Sequence, residues 1–506
     1  MRAWSFPVSL DPASGVPLFL QIARALEEDV RRGRLRPGAP LPSSRALARE
    51  LGVHRNTVLA ALRELEAQGW LETRPAQGTY ISLALPEPRP RAGASPLGPA
   101  PRPDAPGFPL SGRAHPREVP PPHALALWAG SPDTRLVPTE LLARAFRRAL
   151  RRQGARLLDY TDGRGHAGLR RVLAQMLSET RGLALDEDGL LVTRGSQAAL
   201  DLAARTLLSP GARVAVETPG YRPAWEVLRL AGASLVPVPV DAQGLDVDAL
   251  ARAHAEAPLR AVYLTPHHQY PTTVTLSAAR RLRLLAWAAR ERVALLEDDY
   301  DHEFHYEGRP VLPLASADRS GVVVYVGTLS KVLAPGLRLG YLVAPRAFIE
   351  RALAVREAVD RQGETALEAA VAELLEDGEV ARHVRRVRGE YRKRRDALVE
   401  MLGRELPHAL QVTPPAGGLT LWAPTPFDAY AWAARALEEG VAVQPGGVFS
   451  FDGTPLPALR LGFASLTPRE LAEAVRRLAR AVPMSAGSAR RTTAPGPRRS
   501  TRSQGA

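Results

Sequence analysis

The chain has 506 residues, which is too long for one ordinary domain and long enough to bury large cores. It contains no cysteine, which excludes disulfides, thiolate metal sites and cysteine nucleophiles. Its formal net charge of +14 suggests a polyanionic partner, although an arginine-rich composition alone would give a similar balance. No apolar run reaches the roughly 18 residues that a spanning helix needs, and the first residues lack the apolar centre of a signal peptide. We therefore expect a soluble, cytoplasmic protein without membrane association.

The first predicted unit covers residues 10–83. In "PLFLQIARALEEDVRRG" the apolar residues share one helical face, and the helix ends at Gly33. A short second helix is predicted to begin at Ser43 or Ser44 and to close at Gly52. "HRNTVLAALRELEAQGW" predicts a third helix, and "LETRPAQGTYIS" predicts two short strands around a turn. Together these elements predict a winged helix-turn-helix.

Polar and basic residues of this unit are candidates for contact with DNA. The third helix is the expected recognition helix, because such a helix presents its first residues to base edges in the major groove. A glycine in the hairpin would let the wing approach the minor groove. The alternative is that these residues form the solvated faces of an ordinary helical bundle. The candidates are Arg45, His54, Arg55, Asn56, Thr57 and Gly78.

The stretch "RPGAPLPSSRALARELGVHRNTV", followed by "QGTY", resembles the winged-helix domain of the GntR superfamily of bacterial transcription regulators. The resemblance covers residues 17–82 almost continuously. His54 and Asn56 stand where the family more often has serine or threonine. The resemblance implies that this unit binds double-stranded operator DNA.

Two further segments have no pattern of a folded unit. Residues 84–122 are rich in proline, which predicts an extended, semi-rigid linker. Residues 485–506 are basic and show no apolar periodicity, which predicts a disordered basic tail.

Residues 123–484 alternate short apolar strands with long amphipathic helices. "RVAVETP", "AVYLTP", "VALLEDDY" and "GVVVYVGTLSK" are the clearest strands. This alternation predicts an α/β domain with a mostly parallel sheet, in which ligands bind at the carboxyl ends of the strands. After about residue 345 helices dominate, and short strands return near "GGLTLWAP" and "PALRLGF", which predicts a smaller α+β lobe.

One lysine in this region stands out. Only Lys331 and Lys393 among the 67 basic residues are not arginine. Arginine keeps its proton near neutral pH, whereas a lysine with a lowered pKa can attack a carbonyl and form a Schiff base. An ion-paired surface lysine is the alternative, but this chain uses arginine for surface charge. Lys331 therefore predicts an aldehyde cofactor, and pyridoxal phosphate is the cofactor that fits.

Pyridoxal phosphate requires a carboxylate for its ring nitrogen and a side chain that stacks on its ring. Asp298 ends the strand in "ALLEDDYDHEF", where it would pair with the ring nitrogen. Tyr300, two residues later, is placed to reach the phenolic oxygen. Tyr221 in "ETPGYRPAW" follows a strand and is placed to stack on the ring. Taken singly, each residue has an alternative interpretation: Asp298 as a cap, and Tyr221 as an aromatic residue of the core.

The cofactor also requires a phosphate site. "VTRGSQAAL" is a strand, a turn and a helix, so the backbone amides at Gly195, Ser196 and Gln197 would form a nest for an anion. Thr328 and Arg338 flank Lys331 and would complete that site through a hydroxyl and a guanidinium. For "GSQ" alone, the alternative interpretation is an ordinary helix N-cap without an anion.

The motifs in this order resemble the fold-type I aminotransferase family: "YTDGRGHAGLR", "TRGSQAAL", "TPHHQYPTT", "EDDYDHEF", "TLSKVLAPGLRLGY" and "ALRLGF". The resemblance implies that Lys331 forms the internal aldimine with the cofactor. It further implies that Gln269 lies near the phenolic oxygen, that Arg460 pairs with the α-carboxylate of an amino acid, and that Tyr160 reaches the phosphate in a partner subunit. "DGRG" and "PTT" depart from the family, which usually has a proline after the aspartate and Pro-Thr-Gly.

A GntR-type winged helix, a linker and an aminotransferase-like domain in one chain resemble the MocR subfamily of bacterial regulators. The resemblance implies a homodimeric transcription regulator that senses pyridoxal phosphate, or an amino-acid-like effector, by transaldimination at Lys331. One alternative is a working aminotransferase with an autoregulatory DNA-binding domain. Another is a DNA-binding protein that uses the large domain only for dimerisation. We expect no metal site.

Overall fold

The computed structural model describes residues 9–75, 77–86, 108–109, 119–128 and 130–483. Most of the predicted linker and all of the predicted basic tail lie outside these residues. The chain divides into two compact units, residues 1–117 and 118–506. Among the described residues, no helix is both long enough and apolar enough to cross a membrane.

In its described residues, the N-terminal unit has three helices and one hairpin. They are α1 (Leu18–Arg31), α2 (Ser44–Glu50), α3 (Arg55–Ala67), β1 (Leu71–Arg74) and β2 (Gly78–Ile81). The two strands pair antiparallel, with Leu71 opposite Ile81. This is the predicted winged helix-turn-helix.

The core of this unit is formed where the three helices and the hairpin meet. Ile22, Leu26, Val58 and Ile81 are almost fully buried there. The apolar stripes of α1 and α3 therefore face inward, as the helical spacing predicts. Of the two candidate caps for α2, Ser43 is the one that accepts a hydrogen bond, from the amide of Ala46 at 3.2 Å.

The larger unit alternates strands and helices as far as α12 and then becomes mainly helical. Its elements are β3 (Leu125–Ala126), α4 (Thr139–Gln153), α5 (Ala167–Arg181), β4 (Leu190–Thr193), α6 (Gly195–Leu207), β5 (Arg213–Thr218), α7 (Arg222–Leu230), β6 (Ser234–Asp241), β7 (Gly244–Leu245), α8 (Val247–Glu256), β8 (Ala261–Leu264), α9 (Ala278–Glu291), β9 (Ala294–Asp299), α10 (Leu314–Ala317), β10 (Val323–Thr328), β11 (Gly340–Val343), α11 (Arg346–Val359), α12 (Thr365–Glu376), α13 (Glu379–Glu405), β12 (Thr420–Pro424), α14 (Ala429–Glu438), β13 (Val441–Ala442), β14 (Gln444–Pro445), β15 (Ala458–Gly462) and α15 (Pro468–Arg480).

Eight strands form one sheet in the order β4-β11-β10-β9-β8-β5-β6-β7. The strands from β10 to β6 are parallel, whereas β11 runs antiparallel to both β4 and β10 and β7 runs antiparallel to β6. Consecutive residues along a strand pack on opposite faces: Tyr325 belongs to one apolar core and Val326 to the other. Helices cover both faces, which is the predicted α/β arrangement.

The predicted smaller lobe is also present. Three antiparallel strands, β12, β15 and β14, form its sheet, and β13 pairs in parallel with β3. Its core contains Leu398, Trp432, Leu461 and Leu471, contributed by α13, α14, β15 and α15. The pairing of β3 with β13 ties the beginning of the larger unit to this lobe.

Candidate functional site

The predicted cofactor residues lie at the carboxyl ends of the central strands. Asp298 is close to the end of β9, and Thr328 ends the neighbouring strand β10. The two strands are parallel, with Val326 opposite Asp298, so both ends reach the same edge of the sheet. Lys331 follows Thr328 by three residues. The fold thus places the predicted lysine and carboxylate in adjacent loops.

Lys331 directs its amine towards the backbone of Gly130. Its Nζ donates a hydrogen bond to the Gly130 carbonyl oxygen at 2.6 Å. Burial, followed by the positive charge of Arg460, lowers the pKa of Lys331 to about 8, while Asp301 and Asp298 act in the opposite direction. An appreciable fraction of this amine is therefore neutral near physiological pH, as a nucleophilic lysine requires.

Asp298 is buried, with one of its oxygens in a hydrogen bond. Its Oδ2 accepts from the Tyr263 hydroxyl at 2.9 Å, and its Oδ1 has no hydrogen-bond partner among the described residues. Burial raises the pKa of Asp298 to about 7. Sequence reasoning missed Tyr263, although the strand "AVYLTP" that carries it was predicted. The orphaned Oδ1 fits a ligand that brings a cationic N–H group.

The start of α6 has the geometry of an anion site. Gly195 begins this helix at φ +79°, and Arg194 before it provides no side-chain cap for the first amides. A Cβ at position 195 would lie 2.9 Å from Nη2 of Arg338, so a glycine is needed for this approach. A Cβ at Gly340 would lie 2.9 Å from the amide nitrogen of Ser196. The start of α6, Arg338 and β11 can therefore pack this closely only because residues 195 and 340 are glycines, and we call this place the cradle.

Two more residues of the predicted phosphate site lie beside this cradle. The Thr328 hydroxyl donates to the Leu339 carbonyl oxygen at 3.2 Å and accepts from the amide of Ser330 at 3.1 Å. Gln197, in the first turn of α6, has a buried Oε1 without a partner among the described residues. Arg338 donates from Nη2 to the Arg194 carbonyl oxygen at 3.2 Å. The arrangement fits a phosphate held by amides, a hydroxyl and a guanidinium.

Three tyrosines pack together next to these groups. The Tyr221 and Tyr270 rings meet edge to face at 4.9 Å, and the Tyr270 and Tyr300 rings lie 6.1 Å apart. Burial, followed by Tyr270, raises the pKa of Tyr221. The Tyr300 hydroxyl donates to the His268 carbonyl oxygen at 3.0 Å. Tyr221 and Tyr300 are therefore brought together as predicted, through a third tyrosine that sequence reasoning did not select.

The side-chain amide of Gln269 already makes four hydrogen bonds within the protein. Its Nε2 donates to the carbonyl oxygens of Pro219 and Tyr270, at 2.8 and 2.7 Å. Its Oε1 accepts from the amide and the hydroxyl of Thr272, at 3.1 and 2.6 Å. Contact between Gln269 and a cofactor oxygen would require one of these bonds to break. The Tyr270 ring, in contrast, lies among Tyr221, Tyr300 and Arg460.

Arg460 is buried on β15 and faces the same group of aromatic rings. Its Nη1 donates to the Trp128 carbonyl oxygen at 3.1 Å and to Gln444 Oε1 at 3.0 Å. Its guanidinium carbon lies 4.4 Å from the centre of the Tyr270 ring. Its Nε has no partner among the described residues. A buried guanidinium with a spare donor fits a carboxylate ligand.

Tyr160 lies at the surface of the chain, with 73% of its area exposed. The guanidinium carbon of Arg361 lies 4.1 Å from the centre of its ring. An exposed tyrosine held by an arginine is compatible with contact to a second subunit. The role of Tyr160 stays a prediction.

In the N-terminal unit, the predicted DNA-contacting residues cluster around the start of α3. His54 caps this helix, since its Nδ1 accepts from the Asn56 amide at 3.3 Å, and Arg55 Nε donates to Ser44 Oγ at 3.2 Å. His54, Arg55 and Asn56 are exposed, as is Arg45 on α2, while Thr57 is partly buried. Gly78, at the start of β2, is exposed at φ +113° with open space around it. The arrangement leaves the start of α3 accessible to a DNA groove.

Comparison with known families assigns both units. Residues 18–81 match the family described as "Bacterial regulatory proteins, gntR family", and residues 126–478 match "Aminotransferase class I and II". The fold and the site thus define a DNA-binding unit joined in one chain to an aminotransferase-type domain. The predicted fold class is confirmed in both parts.

Relatives over the whole chain share this organisation. The chain is 36% identical to the HTH-type transcriptional regulator TauR of Rhodobacter capsulatus, over 94% of this chain and 98% of that protein. It is 32% identical to the probable rhizopine catabolism regulatory protein MocR of Rhizobium meliloti, over 93% and 94%. The chain therefore belongs to the MocR-type transcription regulators of the GntR family.

A solved structure resembles the aminotransferase part. The α-aminoadipate aminotransferase LysN of Thermus thermophilus is 34% identical with a TM-score of 0.66, and the match covers 71% of this chain and 92% of that one. That enzyme was solved in complex with N-(5'-phosphopyridoxyl)-L-leucine. The domain family and this likeness imply pyridoxal phosphate as the cofactor, which confirms the prediction from the sequence.

Proposed function

We propose that this regulator senses pyridoxal phosphate, or an effector with an amine and a carboxylate, through the Lys331 amine, and that binding changes its affinity for operator DNA. The observation that carries the proposal is that Lys331 and Arg460 both lie against Gly130, so a nucleophilic amine and a partner for a carboxylate stand side by side. The same chain carries a GntR DNA-binding region.

The residues around Lys331 match the parts of pyridoxal phosphate one by one. Asp298 would hold the ring nitrogen, and Tyr221 would cover a ring face. The amides at the start of α6, with Thr328 and Arg338, would hold the phosphate. Bound pyridoxal phosphate supplies an aldehyde for which the Lys331 amine and the amine of an effector compete.

Each residue has a separate task when that site is filled. Lys331 must lose a proton to react, and burial and Arg460 make this loss easier. Asp298 gains a cationic partner that holds its carboxyl in the ionised form, against the effect of burial. Arg460 would exchange its present bonds to Trp128 and Gln444 for a bidentate pair with an effector carboxylate.

Control of DNA binding requires two arrangements of the protein with different affinities for the effector. We propose that these are two arrangements of a homodimer. Tyr160 supports this proposal, because its exposed ring would be covered by a second subunit. Closure of the smaller lobe, which carries Arg460 on β15, would connect effector binding to the dimer.

The test is the binding of the full-length protein to the promoter region beside its own gene, measured with pyridoxal phosphate and with a panel of α-amino acids. We expect at least one of them to change the dissociation constant for DNA by about 5-fold or more. Lys331→Ala should retain DNA binding and lose this response. Unchanged responses in Lys331→Ala, or the absence of promoter binding, would contradict the proposal.

A second candidate function is turnover as an aminotransferase. It is favoured by the presence of Lys331, Asp298 and Arg460 in one site, since these are the groups that transamination requires. Sustained production of keto acids from an amino donor, without promoter binding, would establish the enzyme in place of the regulator. Turnover together with promoter binding would mean that both activities reside in one chain.

A further inference from the structure

Four histidines from two neighbouring loops meet in the larger unit. His267 and His268 follow β8, and His302 and His305 follow β9. Since β8 and β9 are adjacent and parallel, both loops leave the sheet at the same edge. The centre of the His267 ring lies 4.2 Å from that of His268, 4.5 Å from that of His302 and 6.1 Å from that of His305. The four rings therefore form one compact cluster.

Most ring nitrogens of this cluster lack partners. Both nitrogens of His267, Nε2 of His268, Nε2 of His302 and Nδ1 of His305 are buried without a hydrogen-bond partner among the described residues. Nδ1 of His302 lies 3.1 Å from Oδ2 of Asp299. His267, His268 and His302 are only 4%, 2% and 5% exposed. An unpaired buried polar group destabilises the folded state, so a group of five such atoms in one place points to a ligand that binds them.

We propose that His267, His268 and His305 form a zinc site. Each of them offers one ring nitrogen, and the three nitrogens lie within 4.8 Å of one another. Zinc binds neutral imidazole nitrogens at about 2.0–2.1 Å, and three protein ligands leave a fourth position open. The rings must draw together by small rotations to reach this geometry. The site rests on the histidine geometry alone and does not depend on the role proposed for Lys331.

A carboxylate fixes the orientation of one of these ligands. Nδ1 of His268 and Oδ1 of Asp301 lie 2.7 Å apart, and Asp301 is buried. With the Nδ1 proton held by Asp301, Nε2 of His268 is the nitrogen with a free lone pair. A carboxylate behind a histidine in this way is the usual support of a metal ligand.

Gly417 keeps the space beside His268 open. A Cβ added at this position would overlap Nε2 of His268. The backbone of Gly417 forms an isolated bridge with His305, so the same glycine borders two of the proposed ligands. A methyl group at position 417 would therefore displace the His268 ring, and with it the proposed ligand nitrogen Nε2.

The cluster has an access route. A cavity of about 910 Å³ is lined by His302 and His305, together with residues of α5 and α13. His305 is only half-buried, so this proposed ligand borders the cavity directly. A metal ion could enter from the cavity, and the open fourth position would face a water molecule or another ligand there. The proposal departs from the expectation of no metal site, to which the lack of cysteine contributed.

The test uses the untagged full-length protein, stripped of metal with a chelator and titrated with Zn²⁺ against a chromophoric competitor. We expect one Zn²⁺ per chain, before and after addition of pyridoxal phosphate. His267→Ala and His305→Gln should weaken binding by roughly 100-fold or more, because each removes a ligand. The exposed His408→Ala is the matched control and should leave binding unchanged. No binding, or equal binding in all variants, would overturn the proposal.

A second pair of variants tests the position of the metal without removing a histidine. Gly417→Ala should abolish Zn²⁺ binding, whereas Gly403→Ala, in a helix with open space around it, should not. Circular dichroism and the cofactor absorbance show whether each variant is folded. Should the histidine variants fail to fold, X-ray absorption of the zinc-loaded wild type decides: three imidazole ligands support the site, and one or none overturns it.

Discussion

Lys331 and Arg460 approach each other across the backbone of Gly130. Nζ of Lys331 donates to the Gly130 carbonyl oxygen at 2.6 Å, and a Cβ on Gly130 would lie 2.7 Å from Nη2 of Arg460. Two cationic groups therefore share one glycine in a buried place, which disfavours the protonated form of the lysine. Removal of the Arg460 charge would therefore raise the pKa of Lys331.

The first prediction concerns the pKa of Lys331. Because the charge of Arg460 lowers this pKa, Arg460→Gln should raise it above about 8. Only the neutral amine reacts, so the uptake of pyridoxal phosphate by the cofactor-free protein should rise with pH around a midpoint near 8. In the variant that midpoint should move to higher pH, which stopped-flow absorbance measures. The same shift in Arg435→Gln, an exposed arginine, would refute a local effect.

The second prediction follows from the burial of Asp298. Its pKa is about 7 in the folded state and near 3.8 for an ordinary, solvated aspartate, so the folded protein binds this proton more tightly than the unfolded chain does. Stability from this group is therefore full below about pH 4 and is lost as the pH rises to about 7. Asp298→Asn does not titrate, so the cofactor-free variant should gain stability over the wild type across this window.

The expected gain above pH 7 is of the order of 2–4 kcal/mol, seen as a higher Tm of the cofactor-free variant. The same variant should bind pyridoxal phosphate more weakly, because the ring nitrogen loses its ionised partner. Glu438→Gln, at an exposed position, should show no such pH dependence. A constant difference in Tm between pH 4 and pH 8 would contradict the assignment.

The third prediction distinguishes damage to the phosphate site from the effect of backbone strain. Gly195 and Gly211 have φ values of +79° and +82°, so alanine at either position destabilises the fold by a similar amount, about 1 kcal/mol or more. Only at Gly195 would the new methyl group meet Arg338. We expect Gly195→Ala to weaken pyridoxal phosphate binding by at least about 10-fold, and Gly211→Ala to leave it unchanged. Fluorescence titration of both variants would measure this, and equal losses would argue against the nest.

Among the residues of the candidate cofactor site, those at strand ends had positions that were predictable from the sequence. Asp298 and Lys331 follow apolar strands, and a parallel sheet brings the carboxyl ends of neighbouring strands together. The start of α6 was predictable for the same reason, since a glycine between a strand and a helix marks a turn. The pattern of short strands and amphipathic helices likewise predicts both the α/β domain and the winged helix-turn-helix.

Other contacts depend on tertiary packing that the sequence does not display. The bond from Lys331 to Gly130 joins residues 201 positions apart. Tyr263 looks like an ordinary apolar strand residue until β8 is placed beside β9 and its hydroxyl reaches Asp298. The sequence likewise does not show that the Gln269 amide is held by the carbonyl oxygens of Pro219 and Tyr270, since Pro219 lies 50 residues earlier in the chain.

The last prediction concerns the recognition helix. Arg55 is exposed at the first turn of α3 and is oriented by Ser44 on α2, so its guanidinium is placed for a phosphate or a base edge. Arg55→Ala should weaken binding to the promoter region, and loss of a phosphate contact would reduce the slope of log K against log[salt] by about 1. Arg63, exposed later on the same helix, provides the matched control, and Arg63→Ala should have a smaller effect. Filter binding at several salt concentrations measures both slopes.

The cofactor absorbance should be the same in both variants, because the DNA-binding unit has its own core. A change in this absorbance would mean that the two units do not fold independently.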